Sequence, residues 1–93
     1  MKKYYALFWY NEKPYVTRFK SKEWRYDKKA HCFIDSRYYV RSVADLVAMA
    51  IFGTSPCNIN AMSDYAYLLT HDEFVKERAN GTTKWVANKE IIN

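Results

Sequence analysis

Apolar and polar positions alternate from Tyr15 to Lys20, with Tyr15, Thr17 and Phe19 on one face and Val16, Arg18 and Lys20 on the other. A period of two marks a β-strand. The preceding run, Lys3 to Tyr10, is apolar on both faces, Tyr4, Ala6, Phe8 and Tyr10 against Tyr5, Leu7 and Trp9. Such a strand is either central in its sheet or turns one aromatic face to a partner. The cluster Asn11-Glu12-Lys13-Pro14 between the two runs is a turn, so they form a β-hairpin. Ser21 to Lys29 has no period and reads as a short strand or an ordered loop, whereas His31 to Ile34 and Tyr38 to Arg41 are short strands separated by the turn residues Asp35-Ser36.

The period then changes. Val43, Leu46, Val47, Ala50 and Ile51 recur at helical spacing behind Ser42 and Asp45, a capping-box pair, and Gly53 supplies the stop. The opposite face of this helix, Ala44, Ala48, Met49 and Phe52, is also apolar, so the helix is covered on two sides or exposes a patch. Thr54 to Met62 reads as a loop and Tyr65 to Leu69 as a strand. Thr70 and Glu73 cap a second helix carrying Phe74 and Val75, closed by Asn80-Gly81, and Thr83 to Ala87 forms a last edge strand. The expected fold is α+β: a single small domain over residues 1–93, with an antiparallel-rich sheet of about four to six strands and two helices, at about 43–52 and 71–79, packed on one face.

With 49% apolar and 27% charged residues the chain is too hydrophobic to be intrinsically disordered, and its longest apolar run, Leu46 to Phe52, is far too short to span a bilayer. No signal-peptide pattern is present, and the expected address is the cytoplasm (that of the host cell if the gene belongs to a phage), with Cys32 and Cys57 as free thiols. Asn80-Gly81-Thr82 matches a glycosylation sequon but is read as a turn. Nine Tyr, five Phe and three Trp are more rings than a core of this size encloses, which places some aromatic area at the surface, where it favours contact with a partner.

Charge is distributed unevenly. Residues 1–41 hold eleven Lys/Arg against four Asp/Glu, and residues 42–93 hold four against six, so the net charge of +5 belongs to the first half. Within Tyr15 to Arg41 the cations Arg18, Lys20, Lys22, Arg25, Lys28, Lys29, Arg37 and Arg41 are interleaved with Tyr15, Phe19, Trp24, Tyr26, Tyr38 and Tyr39. The candidate binding residues are Arg18, Lys20, Lys22, Trp24, Arg25, Tyr26, Lys28, Lys29, Arg37, Tyr38 and Arg41, with Lys22, Arg25, Lys28 and Lys29 the densest basic group. Such a mixture pairs cations with phosphates and stacks rings on bases, and it suits an acidic protein surface equally well. The structural alternative is a solvated sheet face over core aromatics, which is the better reading for Phe8 and Phe19.

Signs of catalysis are missing from the pattern. His31-Cys32, Cys57 and His71-Asp72-Glu73 lack metal-ligand spacing, and Asp72 and Glu73 suit the first turn of a helix, where they complement its dipole. The two glycines, Gly53 and Gly81, are placed to end helices and leave none for a phosphate loop. No enzyme activity, metal or cofactor is expected. The leading expectation is a binding protein that docks a basic aromatic surface on a protein or ribonucleoprotein. Amino acids with AT-rich codons outnumber those with GC-rich codons about two to one, and with the small size and missing catalytic chemistry this suggests a phage or mobile-element accessory protein, such as an inhibitor of host defence of the anti-CRISPR class. Alternatives are direct nucleic-acid binding through the same patch, and a homodimer built on the apolar faces of the first helix or the first strand.

Overall fold

The computed structural model describes residues 2–86. Two long strands, β1 (Lys2–Tyr10) and β2 (Lys13–Ser21), pair antiparallel along their whole length, from Lys2 opposite Ser21 to Tyr10 opposite Lys13. The turn is tighter than the four-residue cluster expected: Asn11 and Glu12 alone form it, both left-handed at φ 52° and 62°. That geometry matches the right-handed twist of the strands. Lys13 and Pro14 already belong to β2.

Three short strands follow, β3 (Arg25–Asp27), β4 (Cys32–Ile34) and β5 (Val40–Arg41), and together they form a separate antiparallel sheet in the order β3-β4-β5. Helix α1 (Val43–Phe52) starts at Ser42, whose hydroxyl accepts from the Asp45 amide at 3.1 Å while the Asp45 carboxylate accepts from the Ser42 amide at 3.1 Å. It ends at Gly53, left-handed at φ 73°, a conformation that any residue with a Cβ adopts at a cost. After a 3-10 turn at Pro56–Asn58 come β6 (Met62–Leu69), α2 (His71–Ala79) and β7 (Lys84–Val86). Thr70 caps α2 as its spacing predicts, and the Thr70 amide, donating to Glu73 at 2.9 Å, holds that carboxyl below the usual carboxylate range. The helix closes through Asn80 in an extended conformation, so Gly81 is not used as a left-handed stop.

The larger sheet has the order β6-β1-β2-β7, antiparallel except for β7, which joins β2 in parallel. β1 is therefore interior, which accounts for its two apolar faces. On one face Tyr4, Ala6 and Phe8 pack with Phe19 and Met62 against Val43, Leu46, Val47 and Ile51 of α1. Phe33 of β4 closes this core, 5.0 Å from the Tyr4 ring. The apolar back of α1 is largely enclosed as well: Ala44 and Ala48 are buried, leaving Met49 exposed.

Helix α2 lies on the other face. Its one buried residue, Phe74, meets the ring of Tyr5 at 4.5 Å and that of Trp85 at 5.4 Å, and Val16 is buried on the same side. The α+β class and both helix spans agree with the sequence, but the expectation that the helices share one face is corrected. Tyr5 and Val16 alternate with the α1-facing residues Tyr4, Ala6 and Phe19, and it is they that bring α2 down on the opposite side. The sheet is thus covered on both faces, and the short strands form a second layer at one end. Among the described residues no helix is long and apolar enough to cross a membrane. Ala87, expected in the last strand, lies outside the described residues.

Candidate functional site

The basic segment is shaped by carboxylates acting on the backbone. Asp27 at the end of β3 accepts from the amides of Lys29 and Ala30 at 2.8 and 3.2 Å, a turn that leaves Lys28 and Lys29 exposed. Asp35 organises the hairpin between β4 and β5. One carboxylate oxygen accepts from the amides of Arg37 and Tyr39 at 2.8 and 3.0 Å, and the other takes Arg37 Nε and Nη2 at 3.3 and 3.1 Å. Burial alone raises the Asp35 pKa; the amides of Tyr39 and Arg37, then the Arg37 guanidinium, outweigh that and hold it below the usual carboxylate value.

This hairpin has an unusual tip. The Tyr38 amide donates to the Asp35 carbonyl at 3.0 Å and the Asp35 amide to the Tyr39 carbonyl at 3.2 Å, the pattern of a three-residue loop whose last position is left-handed and ordinarily glycine. Here that position is Tyr38, at φ 64° and 85% exposed. A bulky side chain there costs about 1–2 kcal/mol, so the fold holds a ring out in solvent against a backbone preference. Tyr39 and Val40 beside it are 60% and 63% exposed.

Between the hairpin and the β3 strand lies an open groove of about 1040 Å³. It gathers seven of the residues expected from sequence: Lys22, Arg25, Tyr26, Lys28, Lys29, Arg37 and Tyr38. Arg37 is paired with Asp35, the single ion pair among the described residues, and lies 4.7 Å from the Tyr39 ring. Lys22, Arg25, Lys28 and Lys29 are exposed and form no ion pair with the described residues. The acids in the groove walls are Glu23, Asp27 and Asp35, and the last two are occupied by backbone amides.

Four expected residues go elsewhere. Arg18 lies on the α2 face, 5.6 Å from the Trp85 ring, which Arg78 approaches at 4.5 Å. Lys20 borders a smaller hollow beside Trp24 and α1. Arg41 stacks over Trp24 at 5.4 Å, and Trp24 is itself packed against the core with its amide on Ser21 Oγ. Tyr26 reaches the groove, but its ring packs on Phe33 at 5.4 Å and its amide donates to Tyr4 Oη at 3.3 Å. Of the rings expected to stack on a ligand, Tyr38 is therefore the fully presented one. Val40, read as an ordinary strand residue, and the organising acids Asp27 and Asp35 were not singled out in the sequence; the turn residues Asp35-Ser36 were the signal available for the hairpin.

The groove can bind anions. Among the described residues no three His, Cys, Asp or Glu side chains are placed to hold a metal ion. Cys32 is half-buried in β4, while Cys57 is exposed with its Sγ 2.8 Å from Ser55 Oγ. His71, the first residue of α2, lies 5.4 Å from the Tyr5 ring. Comparison with protein families, with curated proteins and with solved structures gives no match to this chain, so its functional reading stands on the geometry above.

Proposed function

We propose that this is a non-catalytic binding protein that docks the groove and its hairpin tip on an acidic surface of another macromolecule, a protein or a ribonucleoprotein. The observation that carries the reading is the conjunction at one site: four exposed cations, with no acidic partner among the described residues, beside a tyrosine held outward in a strained conformation. Aromatic side chains are the usual anchors of protein interfaces, and surrounding charge steers the approach and selects the partner. A stacking groove for nucleic acid presents several rings, and here Trp24 and Tyr26 are engaged with the core. This ranks direct nucleic-acid binding second. The composition supports the setting inferred from sequence, a phage or mobile-element accessory protein acting on a host-defence assembly.

Elution from immobilised heparin, a polyanion, tests the charged half of the reading. A variant with Lys22, Arg25, Lys28 and Lys29 replaced by Gln is expected to elute at clearly lower salt than a control with the same charge loss at the exposed Lys3, Lys13, Lys76 and Lys84. Coincident elution of the two variants would mean that net charge alone is read, and the docking groove would be abandoned.

A further inference from the structure

β6 ends the four-stranded sheet, and among the described residues it is paired on one side only, with β1. An unpaired edge presents backbone N–H and C=O groups to any strand that can reach it, and proteins ordinarily blunt such edges with a charge, a proline, a bulge or a short length. β6 is blunted only at its start, where the register with β1 shifts between Phe8 and Tyr10 and Asp64 falls in the irregular stretch. From Tyr65 to Leu69 the strand reads Tyr-Ala-Tyr-Leu-Leu, with neither charge nor proline. Tyr65 and Tyr67 are 69% and 54% exposed.

A cleft of about 610 Å³ follows this edge. Four consecutive residues, Ala66 to Leu69, form one wall, and Tyr26, Lys28 and His31 stand in the other. Side chains on one face of a strand would line a hollow at every second residue; an unbroken run means that the cleft lies along the backbone itself. Tyr4 and Val43 give it an apolar lining, and Lys2 and Lys28 oppose a single acid, Glu73. Tyr26 and Lys28 also line the basic groove, so the two hollows meet.

We infer that this edge takes an extended, acidic segment of a partner protein by strand addition, its backbone pairing with Ala66–Leu69 and its carboxylates meeting Lys2 and Lys28 before entering the basic groove. Only the last part of that path rests on the docking function proposed above. Strand addition supplies affinity through main-chain hydrogen bonds, which a nucleic acid cannot form in this register, and the cationic rim selects acidic side chains.

The probe is a synthetic peptide of about ten residues alternating valine and glutamate, a length that covers one strand edge. Amide exchange and chemical shifts, followed by NMR in the full chain, are expected to show slowed exchange at alternate residues from Ala66 to Leu69; the Tyr65 amide already donates to Ser63 Oγ. A peptide of the same charge with proline at alternate positions is expected to give little slowing, because it keeps its carbonyls but loses every second N–H donor, and with them the ladder that would hold it on the edge. Replacing Lys2 and Lys28 by Gln is expected to weaken binding roughly 3- to 10-fold. Unchanged exchange on β6, equal binding of the proline peptide, or β6 amides already protected on both sides in the free protein would each overturn the inference. Lys22, Arg25 and Lys29 lie outside this cleft. Slowed exchange in a variant neutralised at those three positions therefore upholds the strand site independently of the groove, whose own failure is read from heparin elution.

Discussion

Replacing Tyr38 with glycine removes the most exposed ring of the hairpin, yet the protein is expected to become more stable. The left-handed backbone at φ 64° costs a residue with a Cβ about 1–2 kcal/mol, and glycine removes that cost. Glycine returns about 0.5–1 kcal/mol of it through the greater freedom of its unfolded chain. The ring, at 85% exposure, contributes little by burial. The net gain is about 0.5–1 kcal/mol, a rise in melting temperature of roughly 2–8 °C for a domain of this size. Thermal and urea unfolding followed by circular dichroism would measure it, with Tyr38→Ala as the comparator. Alanine loses the same ring but keeps the Cβ, and is expected to stay within about 0.5 kcal/mol of the parent. If the glycine variant were instead less stable than the alanine variant, the backbone at Tyr38 would not be strained, and the argument that the ring is held outward against a local preference would fail.

Thr17 is fully buried on the α1 face and its hydroxyl has no hydrogen-bond partner among the described residues; Thr17→Val, which keeps the shape, is expected to stabilise by about 1 kcal/mol in urea unfolding. Phe33→Ala removes the ring that joins the short strands to Tyr4, Phe19 and Tyr26 and is expected to cost about 3–5 kcal/mol, seen as a large fall in the urea midpoint. The Asp35 carboxyl has a lowered pKa in the folded state, so its contribution is complete above the ordinary carboxylate value of about 4 and is lost as pH falls through the lowered one. Amides of Arg37 and Tyr39 should accordingly keep their protection through the ordinary carboxylate range and lose it below, and should lose it at neutral pH in Asp35→Ala, which has no side-chain acceptor. Ser42→Ala should cost α1 about 1 kcal/mol through loss of the cap, read by thermal unfolding.

What the chain states locally is legible in its order of residues. Ser42 with Asp45, Thr70 with Glu73, and Gly53 act within one helical turn, so both helices begin where the spacing says and α1 ends there too. The long hairpin is equally local. The side of the sheet on which α2 packs is not, because one buried residue, Phe74, makes no stripe, and the choice depends on Tyr5, Val16 and Trp85 meeting from three strands. The split into two sheets and the parallel placement of β7 depend likewise on distant pairings. At the basic groove the cations are readable as a cluster, but Ser21 to Lys29 has no period to say that Trp24 and Tyr26 turn inward. Tyr38 in a glycine conformation goes against residue preference and could be found only in three dimensions.

The parallel pairing of β7 with β2 bears on the order in which the chain assembles. It joins Tyr15 to Lys84 across about seventy residues, a closure that costs roughly 4 kcal/mol of chain entropy before any contact forms. The β1–β2 hairpin needs only a two-residue turn. Folding should therefore start at the hairpin and reach the strands paired with it across such separations, β6 and β7, later, with Arg18 and Arg78 closing over Trp85 as a late latch. A weakened latch would then leave the folding rate nearly unchanged and express itself in faster unfolding, which sets the lifetime of the native chain at this end of the sheet.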